Sequence, residues 1–408
     1  MKKVGGHRTS VAGRGCNALG RTLKRRGSIA RQDKGAENFK RSANEVISLW
    51  HNMQVMDICV TDTARQGCGK AISPETSAKI SFFSFVGTIC VCLLHVPWPT
   101  NSEPKRLFCL FVDAVCPTAL AFFFAFSGYF LARHWKEPGW WKKAVRKRFA
   151  SLVVPYFIWL LAFLCFFTTF AHPDASFFHH KGLASLLGLV PWDPPRLVPY
   201  WFMRCLFVFV LVSPLVVKAV AAGRGVCLLA TAAALDLVYW VLVALQVIGM
   251  ETPRIGSFFW FGFNLDGFVY FTLGVCLAMC PVPKPGARTI RVCGCVAASL
   301  VVAYLVCSHF PWSRGIHANA FIAPFLAVFL WGVLPGWKLP ALFHGVMFPI
   351  YLLHIVILET YCHYRGWSGR GYPECLLILV LIFFLPILVS KTLGRMAPRL
   401  SAILFGGR

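Results

Sequence analysis

Two histidines sit inside apolar stretches of this sequence, and imidazole is the side chain best suited to move a proton near neutral pH. His95 ends the run Ile89-Cys90-Val91-Cys92-Leu93-Leu94, just before Pro97-Trp98-Pro99. A neutral ring there can act as general base toward a hydroxyl approaching from the outer face, or can simply bond a carbonyl at a membrane interface. His354 follows Pro349-Ile350-Tyr351-Leu352-Leu353, which puts Tyr351 on its own helix face. The two can form a hydrogen-bonding pair in a bundle interior or serve as structural glue between helices. Arg204 comes one turn into the run that opens Tyr200-Trp201-Phe202-Met203. A guanidinium there needs a partner, for which Asp113, Asp236 and Asp266 are candidates, or it snorkels to the interface. Ser127-Gly128-Tyr129 interrupts an aromatic run, and glycine beside a small hydroxyl permits close packing or a kink. The cluster Lys142-Lys143-Ala144-Val145-Arg146-Lys147-Arg148 can hold a phosphate-bearing donor through charge-assisted bonds, and topology alone can also produce it. No P-loop, dinucleotide fingerprint, serine elbow or metal-ligand spacing stands out, and no metal is expected.

The elements that must position these groups follow from composition. Of 408 residues, 57% are hydrophobic and 14% charged, with 37 Phe and 14 Trp, and mean hydropathy is +0.63. Soluble domains carry roughly 25% charged residues, so an ordinary soluble enzyme is excluded. Apolar runs of helix-spanning length recur from Ile80 onward: Ile80–Trp98, Phe108–Ala132, Phe149–Ala171, Tyr200–Val217, Val226–Met250, Ser257–Cys280, Val292–Phe310, Ala318–Gly336, Leu342–Tyr361 and Glu374–Leu393. An all-α, polytopic membrane bundle of about ten helices is expected. Most of the 17 Cys fall inside these runs, where a thiol acts as a small hydrophobe.

Residues 1–78 form a basic arm that is poor in aromatics and expected to be disordered; the membrane domain covers 79–395 and a short cytoplasmic tail 396–408. With residues up to Lys79 set aside and Lys391 counted with the tail, segments on the cytoplasmic side hold 17 Lys and Arg against 8 in the outer loops, so both termini are expected in the cytoplasm. The net charge of +25 is then largely topology, with the lipid bilayer rather than nucleic acid as partner.

Several of these stretches, in order, resemble the acyltransferase-3 family of bacterial membrane proteins, which O-acylate sugars and surface polysaccharides. They are Lys79-Ile80-Ser81-Phe82-Phe83-Ser84 leading to Leu93-Leu94-His95; Phe123-Phe124-Ala125-Phe126-Ser127-Gly128-Tyr129; Arg146-Lys147-Arg148 before Pro155-Tyr156; Trp201-Phe202-Met203-Arg204 before Ser213-Pro214; Leu273-Gly274; and Ile350-Tyr351-Leu352-Leu353-His354. The resemblance implies a multi-pass inner-membrane O-acetyltransferase that uses cytoplasmic acetyl-CoA as co-substrate and a sugar or polysaccharide as acceptor, with no bound cofactor. By the same resemblance His95 is the base or acyl relay, Arg146, Arg148 and Arg204 hold the donor, and Ser84, Ser127, Trp201, Tyr351 and His354 line the cavity. Two positions depart from the family pattern. Ser84 stands where an arginine usually precedes the first histidine by eleven residues, and Ser151 replaces the arginine that often follows Arg148 by three. A transporter of a polar small molecule, or a catalytically degenerate family member, is the alternative.

Overall fold

Ser73 accepts a hydrogen bond from the Thr76 amide at 3.2 Å and Pro74 follows it, so the first helix, α1, starts at Pro74 and runs to His95. The computed structural model describes residues 72–100, 102–166, 201–244, 265–280, 284–308, 318–366 and 371–406, all within the compact unit Cys59–Arg408. Residues 74–78, which composition groups with the basic arm, are thus helical and belong to α1; of the rest of the arm, 1–71 lies outside the described residues. At the other end Val96 turns extended ahead of Pro97, and Trp98 Nε1 donates to the Leu93 carbonyl at 2.9 Å, filling an acceptor that the last turn leaves free.

The helices that follow are α2 (Glu103–Val115), α3 (Thr118–Ala132), α4 (Trp140–Arg148), a π-turn (Phe149–Val153), α5 (Val154–Phe166), α6 (Trp201–Ala221), α7 (Gly225–Ala244), α8 (Leu265–Met279), α9 (Ala287–Cys307), α10 (Ala318–Val333), α11 (Met347–Arg365), α12 (Tyr372–Met396) and α13 (Pro398–Leu404). Regular structure among the described residues is wholly helical. Each of the ten apolar runs overlaps one of these helices, and the second divides between α2 and α3 around Cys116-Pro117. Six described helices are long and apolar enough to cross a membrane, counting Glu103–Ala132 as one, and α8 and part of α10 are shorter apolar helices. Helix α9 buries little of itself and exposes Val292, Val302 and Val306, as expected of a surface that faces lipid. The chain is a multi-pass membrane protein.

Two local devices hold the centre of the bundle. Helices α3 and α8 cross backbone to backbone: a Cβ on Gly128 would overlap the Phe271 carbonyl oxygen, and one on Gly274 would overlap that of Ala125. In α6, Pro214 has no amide to give the Val210 carbonyl. Ser213 Oγ at 2.7 Å and Trp141 Nε1 at 3.1 Å donate to that oxygen instead, and the second bond ties α4 to α6.

The tail segment carries the short helix α13, which packs on α5. Trp159 on α5 donates its Nε1 hydrogen to the Leu404 carbonyl at 3.0 Å and stacks on Phe405 at 6.1 Å. Gly406, at φ +72, then lies against the backbone of Ser151 in the π-turn, a conformation and an approach that both favour glycine.

Candidate functional site

A cavity of about 220 Å³ opens between α1, α3, α6 and α11, with the α4 end and the π-turn contributing Arg148 and Leu152. Helix α1 supplies one stripe to its wall, Ile80, Ser84, Thr88 and Val91, at the spacing that keeps side chains on a single helix face. That stripe covers about 16 Å of helix. Aromatic side chains from the facing helices, among them Phe123, Phe126, Phe202 and Phe348, also line it.

Most of the polar groups on this wall are already engaged. Ser84 Oγ donates to the Ile80 carbonyl, Thr88 Oγ1 to that of Ser84 and Ser127 Oγ to that of Phe123, each at 2.8 Å. These bonds to the preceding turn leave the hydroxyls little to offer a ligand as donors. Two groups differ. Arg148 has no carboxylate within salt-bridge reach among the described residues. Removal from water lowers its pKa from the ordinary value. His354 is completely buried. Its Nδ1 faces the carbonyls of Tyr351 at 2.7 Å and Ile350 at 3.2 Å, which can only accept. The ring proton therefore sits on Nδ1, and Nε2, itself buried, has no hydrogen-bond partner among the described residues.

His95 continues the α1 stripe past the end of the cavity, and its ring lies against that of His354, edge to face, with centroids 5.0 Å apart. Its Nδ1 donates to the Val91 carbonyl at 2.7 Å. Of the sequence-selected residues, Ser84, Ser127, Arg148, Tyr351 and His354 therefore come together on one cavity, with His95 directly behind.

The others stand apart from the wall. Arg146 is exposed on α4. Arg204 is half-buried on α6, its Nε without a partner among the described residues, close enough to Tyr156 to interact electrostatically. None of the three candidate aspartates forms an ion pair with it among the described residues. Asp236 and Asp266 instead hydrogen bond each other, Trp240 donates to Asp266 Oδ1 at 2.8 Å, and Asp113 is exposed on α2. Trp201 packs beside Phe124 and Phe202, and it is Phe202 that reaches the cavity. Lys79 lies over the Trp331 ring at 5.1 Å, so it does not replace the charge absent at Ser84.

Thr88, Phe202 and Phe348 are wall residues that the sequence reading did not select. For Thr88 a signal existed, since it falls on the stripe joining Ser84 to His95. For Phe202 and Phe348 none did, because neighbouring aromatics gave the same apolar pattern.

A family model described as an acyltransferase domain, that of the acyltransferase-3 family, matches residues 82–398. Neither a curated protein nor a solved structure matches the chain. The matched stretch includes every cavity-lining residue except Ile80, and so takes in Arg148, His95 and His354 together. With most of the chain covered and its helices suited to a bilayer, this protein belongs to the acyltransferase-3 family of membrane acyltransferases.

Proposed function

We propose that the protein is an inner-membrane O-acyltransferase that moves an acetyl group from cytoplasmic acetyl-CoA to a hydroxyl of a cell-envelope sugar or polysaccharide. In this reading about ten helices span the bilayer with both termini in the cytoplasm. One observation carries the proposal: the cavity wall brings together Arg148, which has no carboxylate within salt-bridge reach among the described residues, and His354, whose ring lies against that of His95. Arg148 then attracts the phosphates of the donor, aided by the surrounding basic cluster, while the thioester reaches along α1 toward the histidines. Arg146 adds charge at the entrance, and Arg204 acts on the donor only from outside the wall.

Cavity size favours a short acyl group. Its volume of about 220 Å³ is below the roughly 300–1,000 Å³ of pockets that enclose drug-sized ligands. The transfer needs a base near the acceptor hydroxyl, and the His95–His354 pair supplies it, with His95 as the base or relay. Membranes containing the protein are expected to transfer labelled acetyl from acetyl-CoA to extracted envelope glycan, and His95→Ala to abolish this while the protein stays folded. Undiminished transfer in that variant would remove His95 from the mechanism.

One observation favours a second reading. Ser84 places a hydroxyl already bonded to Ile80 where the family resemblance expects an arginine. A catalytically degenerate member would keep the fold and bind a partner without transferring acyl groups. Co-purification with an envelope protein, together with absent transfer by the wild type, would support it.

A further inference from the structure

We infer that the end of the bundle where α1 finishes carries a binding platform for a sugar ring of the acceptor glycan, built from Trp98, Phe108 and Tyr372, an assignment that rests on the acyltransferase reading above. Three chain segments bring these rings together: residues 96–99 after α1, the second turn of α2 and the first residue of α12. Ring centroids lie 5.1 Å apart for Trp98 and Phe108, and Tyr372 lies 6.3 Å from each of them. Phe108 is 36% exposed, while Trp98 and Tyr372 are half-buried, so the group reaches the surface.

The platform is formed before anything binds. Trp98 directs its one polar hydrogen inward, to the Leu93 carbonyl at 2.9 Å, and the Pro97 carbonyl accepts from the Cys375 thiol at 3.4 Å, which ties the exit from α1 to α12. What the indole offers outside is therefore its π surface. The C–H face of a pyranose carries slight positive charge and is drawn to the negative face of an aromatic ring, as the edge of a second ring is. Rings already fixed in place lose little freedom when they are covered. Sugar hydroxyls need partners as well, and charged side chains stand at the rim. Lys105 lies over the Tyr372 ring at 5.7 Å, and Glu374, which accepts from the Tyr361 hydroxyl at 3.1 Å, is two residues further along α12.

Aromatic side chains also gather at membrane interfaces as anchors. An anchor needs neither packing among rings from three segments nor a rim of opposite charges, whereas a sugar ring uses both. The position fits the acceptor's side of the reaction. In the topology proposed above α1 leads outward, the cavity wall reaches Val91 and Cys92 near the end of that helix, and Trp98 follows His95 by three residues. A glycan held on these rings presents its hydroxyls beside the base or relay.

The test measures binding of extracted envelope glycan to the purified protein in detergent, without acetyl-CoA, and separately the KM of glycan and of acetyl-CoA in transfer. Phe108→Leu keeps an apolar side chain and removes a ring; it should weaken glycan binding and raise its KM about 2- to 10-fold, the range of a single aromatic contact. Trp98→Ala should weaken both further, and Lys105→Met less. Acetyl-CoA KM and the unfolding temperature should stay at wild-type values in Phe108→Leu. Trp337→Leu, which removes an exposed aromatic outside the cluster, should bind glycan as wild type does.

Normal glycan binding by both Phe108→Leu and Trp98→Ala, in a protein whose wild type transfers acetyl, overturns the platform and leaves the acyltransferase reading standing. So does a fall in unfolding temperature and a raised acetyl-CoA KM in Phe108→Leu, which mark an anchoring role. Wild-type glycan binding that these variants lose, with no acetyl transfer, supports the sugar site and overturns the acyltransferase reading alone. Neither binding nor transfer by the wild type overturns both.

Discussion

The imidazole rings of His95 and His354 meet edge to face, 5.0 Å between centroids, although they come from helices far apart in the chain. The same two segments also meet at Phe85 and Phe343, 4.7 Å apart, so α1 and the stretch leading through α11 are fixed to each other at two separate levels. The pair's geometry is a product of helix packing. Function should therefore respond both to the groups on the cavity wall and to residues that only set how the helices meet.

Arg148 lies on the cavity wall and Arg146 is exposed on α4, so equal substitutions should have unequal effects. A lost hydrogen bond to a charged group costs about 1.5–3 kcal/mol, which is roughly a 10- to 100-fold rise in KM for acetyl-CoA. Steady-state kinetics should show this for Arg148→Ala with kcat little changed, and less than a few-fold for Arg146→Ala.

The α3–α8 crossing leaves no room for a side chain at Gly128 or Gly274. Gly128→Val and Gly274→Val force these backbones apart, and overpacking of this kind costs about 1–3 kcal/mol or more. Thermal unfolding in detergent should show a clear drop in Tm for both. Gly286→Ala, where an added Cβ meets nothing within 4 Å, should unfold at the wild-type temperature.

Phe202 narrows the cavity while packing against Phe124 at 4.7 Å and Tyr351 at 5.7 Å. Phe202→Leu removes part of that wall at modest cost to the surrounding packing. Competition between acetyl-CoA and butyryl-CoA should shift toward the longer donor by several-fold, since each methylene accommodated is worth about 1 kcal/mol or more.

Helix α13 braces the π-turn between two cavity residues, Arg148 and Leu152. Truncation after Met396 removes Leu404, Phe405 and Gly406, and with them the Trp159 bond and the contact on Ser151. The expected result is a raised KM for acetyl-CoA with the glycan KM unchanged. Trp159→Phe, which loses only the bond to Leu404, should move the donor KM in the same direction by a smaller amount.

Apolar run length located the helices, because crossing a bilayer demands it, and the order of short motifs selected five residues of the cavity wall and the histidine behind it. What the sequence leaves open is side-chain direction and partner choice. Trp201 and Phe202 are equally apolar, yet only the second reaches the cavity. Arg204 has three aspartates within the chain as candidates, and two of them bond each other instead. The π-turn carries no local signature, and α13 has seven residues, so its order comes from packing on Trp159 and not from its own composition. Pro117 marks the division between α2 and α3, a break that an uninterrupted hydropathy run conceals.

The central claim is that donor and acceptor meet in one cavity from opposite faces of the membrane. Inside-out vesicles with envelope glycan sealed in the lumen, given labelled acetyl-CoA outside, test it most directly. The account predicts label on the lumenal glycan from wild-type vesicles and none from vesicles carrying His95→Ala. Lumenal glycan that stays unlabelled, in vesicles where externally added glycan is acetylated, would contradict it.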